Sequence, residues 1–332
     1  MPDAPVLHID GASHTVVGVA PDGTFVAIQS ALDSQAPVVL HSGDGLSWTA
    51  SGPLPAAMYS QVEAITRFGG GLIAVGWDEQ GPGAIWSSPD GATWQRVPTQ
   101  PALEPDVLER VAASSTTIVV VLGNGAVAGS HDGITWTAAS PGEPGGQIVA
   151  DVTATDLGFV AVGGAGTVAA AWTSVDGWSW RAATFPDDSD ANARMLAVAA
   201  RGRRAVALGA VPGPGEGASD PWSAIGAWVS TDAGATWTRT GTSTRETAPA
   251  LFPQNPVRLY VLSDGFVVLG MGPADLAIWN SLDGVGWQEA RVEGGAGVIG
   301  DSLAVTGDVS VIAGRTGGTG AGGDRSVFWI RP

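Results

Sequence analysis

Glu63, Arg110, Asp151 and Arg258 fall at near-equivalent positions when the strand before each apolar run is aligned on that run, and Glu109, Arg194, Tyr260 and Asp301 lie close to the same register. Two carboxyls such as Glu63 and Asp151 are what glycoside cleavage needs, provided about 5 to 10 Å separates them. Ringed by Arg110, Arg194 and Arg258 they would also bind a polar ligand without breaking it. The same mixture of signs equally makes a self-neutralising network with water inside it and no ligand at all. Trp77 and Trp222 add another chemistry, because an indole on a loop stacks on a sugar, anchors a protein loop, or merely covers the core.

Whatever positions these residues is repetitive. The stretch Trp172-Thr-Ser-Val-Asp-Gly-Trp-Ser-Trp180 has close copies along the chain: Asp44-Gly45 with Trp48, Asp90-Gly91 with Trp94, Asp132-Gly133 with Trp136, Asp232-Ala-Gly234 with Trp237, and Asp283-Gly284 with Trp287. An Asp-Gly pair between two apolar strands is a tight hairpin signal: Asp accepts hydrogen bonds from its own turn and Gly supplies the positive φ. The following Trp offers a flat face for packing. A residue needed for catalysis is not needed in every copy, so these aspartates read as structural clips.

In full form the clip is Ser230-Thr-Asp232-Ala-Gly234-Ala-Thr236-Trp237, which resembles the Asp-box or BNR repeat of sialidases, some glycoside hydrolases, sortilin-type receptors and photosystem assembly factors. The resemblance implies a β-propeller in which the clip joins the third and fourth strands of a blade, and it implies little about activity. Sialidase chemistry would use three arginines on a substrate carboxylate, a tyrosine nucleophile activated by a glutamate, and an aspartate as acid/base. Arg110, Arg194 and Arg258 with Tyr260, Glu63 and Asp151 supply those residue types, so Glu63, Asp151 and Tyr260 are the catalytic candidates. Against that activity, no Phe-Arg-Ile-Pro motif occurs, and the repeat count is seven where sialidases have six.

Seven apolar second strands can be counted: Phe25–Ile28, Leu72–Gly76, Ile118–Leu122, Phe159–Val162, Ala205–Leu208, Phe266–Leu269 and Val309–Ile312. Only six clips follow them, and the termini resolve the mismatch. Ser326–Ile330 is a third strand without a fourth, and Pro5–Ile9 is a strand without a partner. Pairing them gives an all-β, seven-bladed propeller whose last blade is closed by the N-terminal strand. We expect a single propeller domain over 1–332, with blades near 12–50, 59–98, 106–140, 147–184, 193–240, 256–292, and 298–330 plus 4–10. Five tryptophans (Trp86, Trp172, Trp228, Trp279 and Trp329) should occupy one equivalent third-strand position, leaving Trp77, Trp178 and Trp222 outside the repeat.

Composition narrows the functions. Net charge is −17, from 32 acidic and 15 basic residues, and the sequence holds no lysine and no cysteine. Nucleic acid is an unsuitable partner for such a chain; Schiff-base chemistry, P-loop phosphate binding, disulfides and thiolate nucleophiles are excluded with the residues that perform them. No apolar run spans a membrane, and the start Met-Pro-Asp-Ala-Pro is not a signal peptide. The expectation is a secreted or cell-surface protein whose export signal is not in this chain, with a cytoplasmic location as the alternative.

The remaining signals point away from a cofactor or a metal. Gly295-Ala-Gly297-Val-Ile-Gly300 precedes a strand instead of joining strand to helix, so it is a blade connection. His8, His14, His41 and His131 have no metal-ligand spacing. Asp187-Asp188-Ser189-Asp190 reads as a solvated loop before a calcium site. Function should lie on the rim of loops that join second to third strands and blade to blade, where Trp77, Asp78, Glu79, Asp187, Asp188, Trp222, Arg245 and Glu246 gather. The sequence therefore supports a non-enzymatic binding propeller presenting a loop-rich face to a protein or carbohydrate; a glycan-cleaving hydrolase with carboxylates at the channel mouth is the alternative.

Overall fold

The computed structural model describes residues 9–10, 12–31, 36–79, 81–98, 100–104, 106–141, 146–186, 192–212, 224–244, 258–271, 275–296, 298–307, 309–316 and 325–331. Their strands form seven four-stranded antiparallel sheets, the blades of a seven-bladed β-propeller. Blades one to six each run through four consecutive strands. In blade two, for instance, these are Gln61–Phe68, Gly71–Asp78, Gly81–Ser88 and Gln95–Arg96. Blade seven takes Val298–Thr306, Val309–Thr316 and Arg325–Arg331 from the end of the chain, and its fourth strand, Ile9–Asp10, from the start. Ile9 faces Ser326 and Asp10 faces Arg325, so the expected closure by the N-terminal strand is present. The rest of the expected closing segment, residues 4–8, lies outside the described residues.

Among the described residues the only helix is the 3-10 turn Pro101–Leu103, and no helix is long and apolar enough to cross a membrane. The chain divides into two compact units, Met1–Ile118 with Ser130–Trp136 and Glu293–Pro332, and Val119–Gly129 with Thr137–Val292. In the first, Val16, Val26, Ile28, Leu72, Ala74 and Trp86 pack between blades one and two, and Val17, Phe25, Val311 and Phe328 between blades one and seven. In the second, Val160, Val162, Ala207, Trp228 and Trp237 fill the space between blades four and five. The third-strand tryptophans are in register as the repeat demands: Trp86 faces Ala74, Trp172 faces Ala161, Trp228 faces Ala207, Trp279 faces Val268 and Trp329 faces Ile312. A small or branched partner across the strand leaves room for the indole, and Trp86 and Trp228 are completely buried.

Each clip is built by the same bonds. Ser42 Oγ donates to Asp44 Oδ1 and accepts from Gly45 N–H, and the N–H groups of Leu46 and Ser47 donate to Asp44 Oδ1. The indole N–H of Trp48 donates to the Gly45 carbonyl. The pattern returns around Asp90, Asp132, Asp176, Asp232 and Asp283. Glycine is needed for two reasons. Gly234 and Gly284 have φ of 87° and 80°, and an added Cβ would strike Val160 and Val206 on the second strand of the preceding blade. In the fifth clip the extra residue, Ala233, takes up a φ of 61°. Backbone donors acting on the carboxylates, led by Thr135 N–H on Asp132 and Ser179 N–H on Asp176, hold both groups down to about 2.

Candidate functional site

The polar chemistry gathers on the first strands of blades seven, one and two, within the first unit. Strands of neighbouring blades do not pair here, so their edges carry N–H groups that need acceptors. Side chains supply them. Asp301 Oδ2 accepts from Thr15 N–H at 3.2 Å, Ser302 Oγ from Val17 N–H at 3.1 Å, and Ser30 Oγ from Val62 N–H at 3.2 Å. A buried hydroxyl pair, Thr15 with Ser326 at 2.6 Å, and the Gln29 amide donating to Ser326 at 3.0 Å, tie blade one to blade seven.

Within that frame lies a mixed-charge cluster. Arg315 Nη1 donates to Asp301 Oδ1 at 2.5 Å and lies 3.4 Å from His14 Nδ1. His14 Nδ1 is 3.5 Å from Asp301 Oδ1, and its Nε2 is 4.0 Å from Glu63 Oε2. Gln61 Nε2 donates to the other oxygen of Glu63 at 2.5 Å. Asp301 and His14 are buried, whereas Glu63 and Arg315 each keep 19% of the side chain exposed. The cluster therefore reaches solvent through Glu63 and Arg315. Among the described residues no three His, Asp or Glu side chains converge as metal ligands.

The register explains how Glu63 and Asp301 come to matter. Four first strands carry one extra residue at the same place, and those residues are Glu63, Ala150, Leu196 and Asp301. A β-bulge of this kind re-aims a side chain and brings the bulged backbone toward its partner strand. Opposite it stands glycine in every case: Gly76, Gly163, Gly209 and Gly314. A Cβ on Gly76, Gly163 or Gly209 would fall on the carbonyl oxygen of Gln61, Ile148 or Arg194. The residue after that glycine is Trp77 in blade two and Arg315 in blade seven, but Gly164 and Ala210 in blades four and five. Blades two and seven thus fill both slots with charged or aromatic side chains, and blades four and five leave them plain.

Of the expected ring of Glu63, Arg110, Asp151 and Arg258, the register makes Asp151 and Arg258 equivalent and sets Glu63 one residue out of line with them. Asp151 faces Val162 and Arg258 faces Leu269, both regular pairs one step beyond the bulge that holds Glu63. Asp151 is also committed elsewhere: Oδ1 accepts from Val152 N–H at 2.8 Å and Oδ2 from Val198 N–H on the next blade at 2.9 Å. Arg110 donates to the Glu109 carbonyl at 2.9 Å. Arg194 and Tyr260 lie on the first strands of blades five and six, and Arg194 has a buried Nε with no hydrogen-bond partner.

Two rim residues also move. Trp77 lies within the strand Gly71–Asp78, not a loop, half-buried and directly across from Gln61. Asp78 is buried and paired with Arg96 at 2.8 Å, whose guanidinium sits 5.4 Å from the centre of the Trp86 ring. Trp178 closes over Gly129 of the preceding blade, which accounts for an indole the repeat left over. Trp222, Asp187, Asp188, Asp190, Arg245 and Glu246 lie outside the described residues. His14 and Arg315 were missed by sequence reasoning. Arg315 was legible as the large residue following the bulge-facing glycine, as Trp77 is in blade two; nothing local marks His14.

No curated protein matches the sequence. Solved structures share the fold at low identity. YCF48 bound to D1 peptide is 14% identical, with 100% of this chain and 99% of that chain covered and a TM-score of 0.63. Virginiamycin B lyase from Staphylococcus aureus is 9% identical, with 99% and 100% covered and a TM-score of 0.63. A chain of the Mitotic Checkpoint Complex is 14% identical, with 99% and 95% covered and a TM-score of 0.60. The model of the DUF6242 beta propeller domain matches residues 42–294, and this chain belongs to that family.

Proposed function

We propose that this chain is a non-enzymatic binding propeller of the Asp-box kind, recognising a carbohydrate or protein partner on the side that carries Glu63 and Trp77. The observation that carries the reading is the commitment of the other candidate carboxylates. Asp151 spends both oxygens on backbone N–H groups, and Asp301 is locked by Arg315 and Thr15 N–H. Neither is placed to trade a proton with a substrate opposite Glu63, as hydrolysis requires. A carboxylate, an amide and a half-buried indole on one sheet are instead the parts of a recognition surface. YCF48 bound to D1 peptide, a propeller of similar form, supports the protein-partner version. We place the protein outside the cell or at its surface, in line with the exported propellers its clips resemble; fractionation of source cells tests this, and a purely cytosolic pool contradicts it.

The functional test is a glycan array read beside a fluorogenic glycoside panel. Binding without turnover is expected. Turnover that disappears in Glu63→Gln would establish the hydrolase instead.

A further inference from the structure

Hydrogen bonding leaves the ring of His14 incomplete. His14 Nδ1 lies 3.4 Å from Arg315 Nη1, which can only donate to it, and 3.5 Å from Asp301 Oδ1, which can only accept from it. The shorter contact, taken as the hydrogen bond, places the ring proton on Nε2. That Nε2 is buried and has no hydrogen-bond partner, in a residue only 8% exposed. It faces Glu63 Oε2 across 4.0 Å, too far for a direct bond. Gln61 bonds to the other carboxylate oxygen, Oε1, and a carboxylate oxygen accepts more than one hydrogen bond.

An oxygen about 2.8 Å from each atom spans this 4.0 Å gap with an angle of about 90° at the oxygen. It must accept from Nε2–H and donate to a carboxylate, which a hydroxyl does with one atom. Trp77 is the cross-strand partner of the Gln61 whose amide holds Glu63. Direct partners across an antiparallel pair have Cβ atoms about 4.5–5.5 Å apart, so indole and amide share one patch. An aromatic face next to an amide and a carboxylate suits the apolar face and hydroxyl edge of a sugar ring. A water molecule would satisfy His14 and Glu63 but would leave Trp77, where blades four and five have Gly164 and Ala210, without a role.

We infer that Glu63 and His14 receive a hydroxyl of a carbohydrate ligand, with Trp77 as its stacking face. This rests on the binding reading above and names its partner class. The full chain labelled with 15N-histidine has four imidazoles, and two-bond 1H–15N spectra report the tautomer of each. The probes are methyl glucoside, methyl galactoside, methyl mannoside and N-acetylglucosamine, with a serine-containing peptide as the second hydroxyl source. His14 should be the Nε2–H tautomer, and at least one sugar should shift its Nε2 signal. Trp77→Ala should keep the tautomer and weaken that sugar about tenfold or more; Glu63→Ala should abolish the shift. An Nδ1–H or doubly protonated ring overturns the inference, as does a signal no sugar moves or one only the peptide moves. Array binding that persists while His14 stays silent removes this assignment alone, whereas the wider reading falls if turnover is found.

Discussion

The outer clips and the inner strands use the same residue types in opposite ways. In a clip, aspartate bonds to N–H groups no more than four residues away, and the arrangement recurs six times with the same partners. On the inner strands, Asp301 reaches Thr15 across 286 positions and Asp151 reaches Val198 across 47, each from a different place in its own strand. Local bonds of the first kind shape each turn without depending on the rest of the fold. Long-range bonds of the second kind exist only once neighbouring blades have assembled, and there the chain is free to differ from blade to blade. Repetition marks the scaffold, and departure from repetition marks the site.

Substitutions can break or sharpen that contrast. The largest effect should come from the scaffold's buried indoles: Trp228→Ala, in a fully buried position, should cost about 3–5 kcal/mol in chemical denaturation. An effect below about 1 kcal/mol would deny the third-strand tryptophans their structural part. Next stands Asp301→Ala, which strands Arg315 and the Thr15 N–H. A loss of about 2–4 kcal/mol is expected, less than for a fully enclosed pair because Arg315 reaches water. Gly163→Ala, opposite the bulge, should cost about 1–3 kcal/mol, and a neutral result would mean the bulge relaxes freely.

The smallest effect belongs to a single clip. Asp132→Ala should lower stability by about 1 kcal/mol and leave ligand binding alone. The clip carboxylates also set a pH window. Asp132 and Asp176 titrate near 2 in the fold against 3.8 ordinarily, so their contribution is complete above pH 3.8 and is lost as pH falls toward 2. Thermal melts over that interval should fall less steeply for the Asp132→Ala, Asp176→Ala double variant than for the parent.

The same contrast explains what the sequence revealed. Asp44-Gly45 and its copies, the apolar second strands and Trp86 with its equivalents announce the blades through local signals, and the unpaired terminal strands announced the closure. Glu63 was legible as a charged first-strand residue and Trp77 as a departure from the repeat, although Trp77 was expected in a loop because nothing local marks where the strand Gly71–Asp78 ends. The supposed equivalence of Glu63 with Asp151 failed on one extra residue: a bulge shifts the register without altering the apolar pattern used for alignment. His14 belongs to no motif and becomes visible only when Asp301, Arg315 and Glu63 surround it.

The central claim is that specialised inner-strand positions bind and repeated clips only support. Titrating the parent, Trp77→Ala and Asp132→Ala with the strongest saccharide from the array, alongside a melting curve for each, tests it most directly. Affinity should fall about tenfold or more in Trp77→Ala with an unchanged melting temperature, and stay unchanged in Asp132→Ala with a lowered one. Undiminished affinity in Trp77→Ala, or affinity lost in a folded Asp132→Ala, would contradict it.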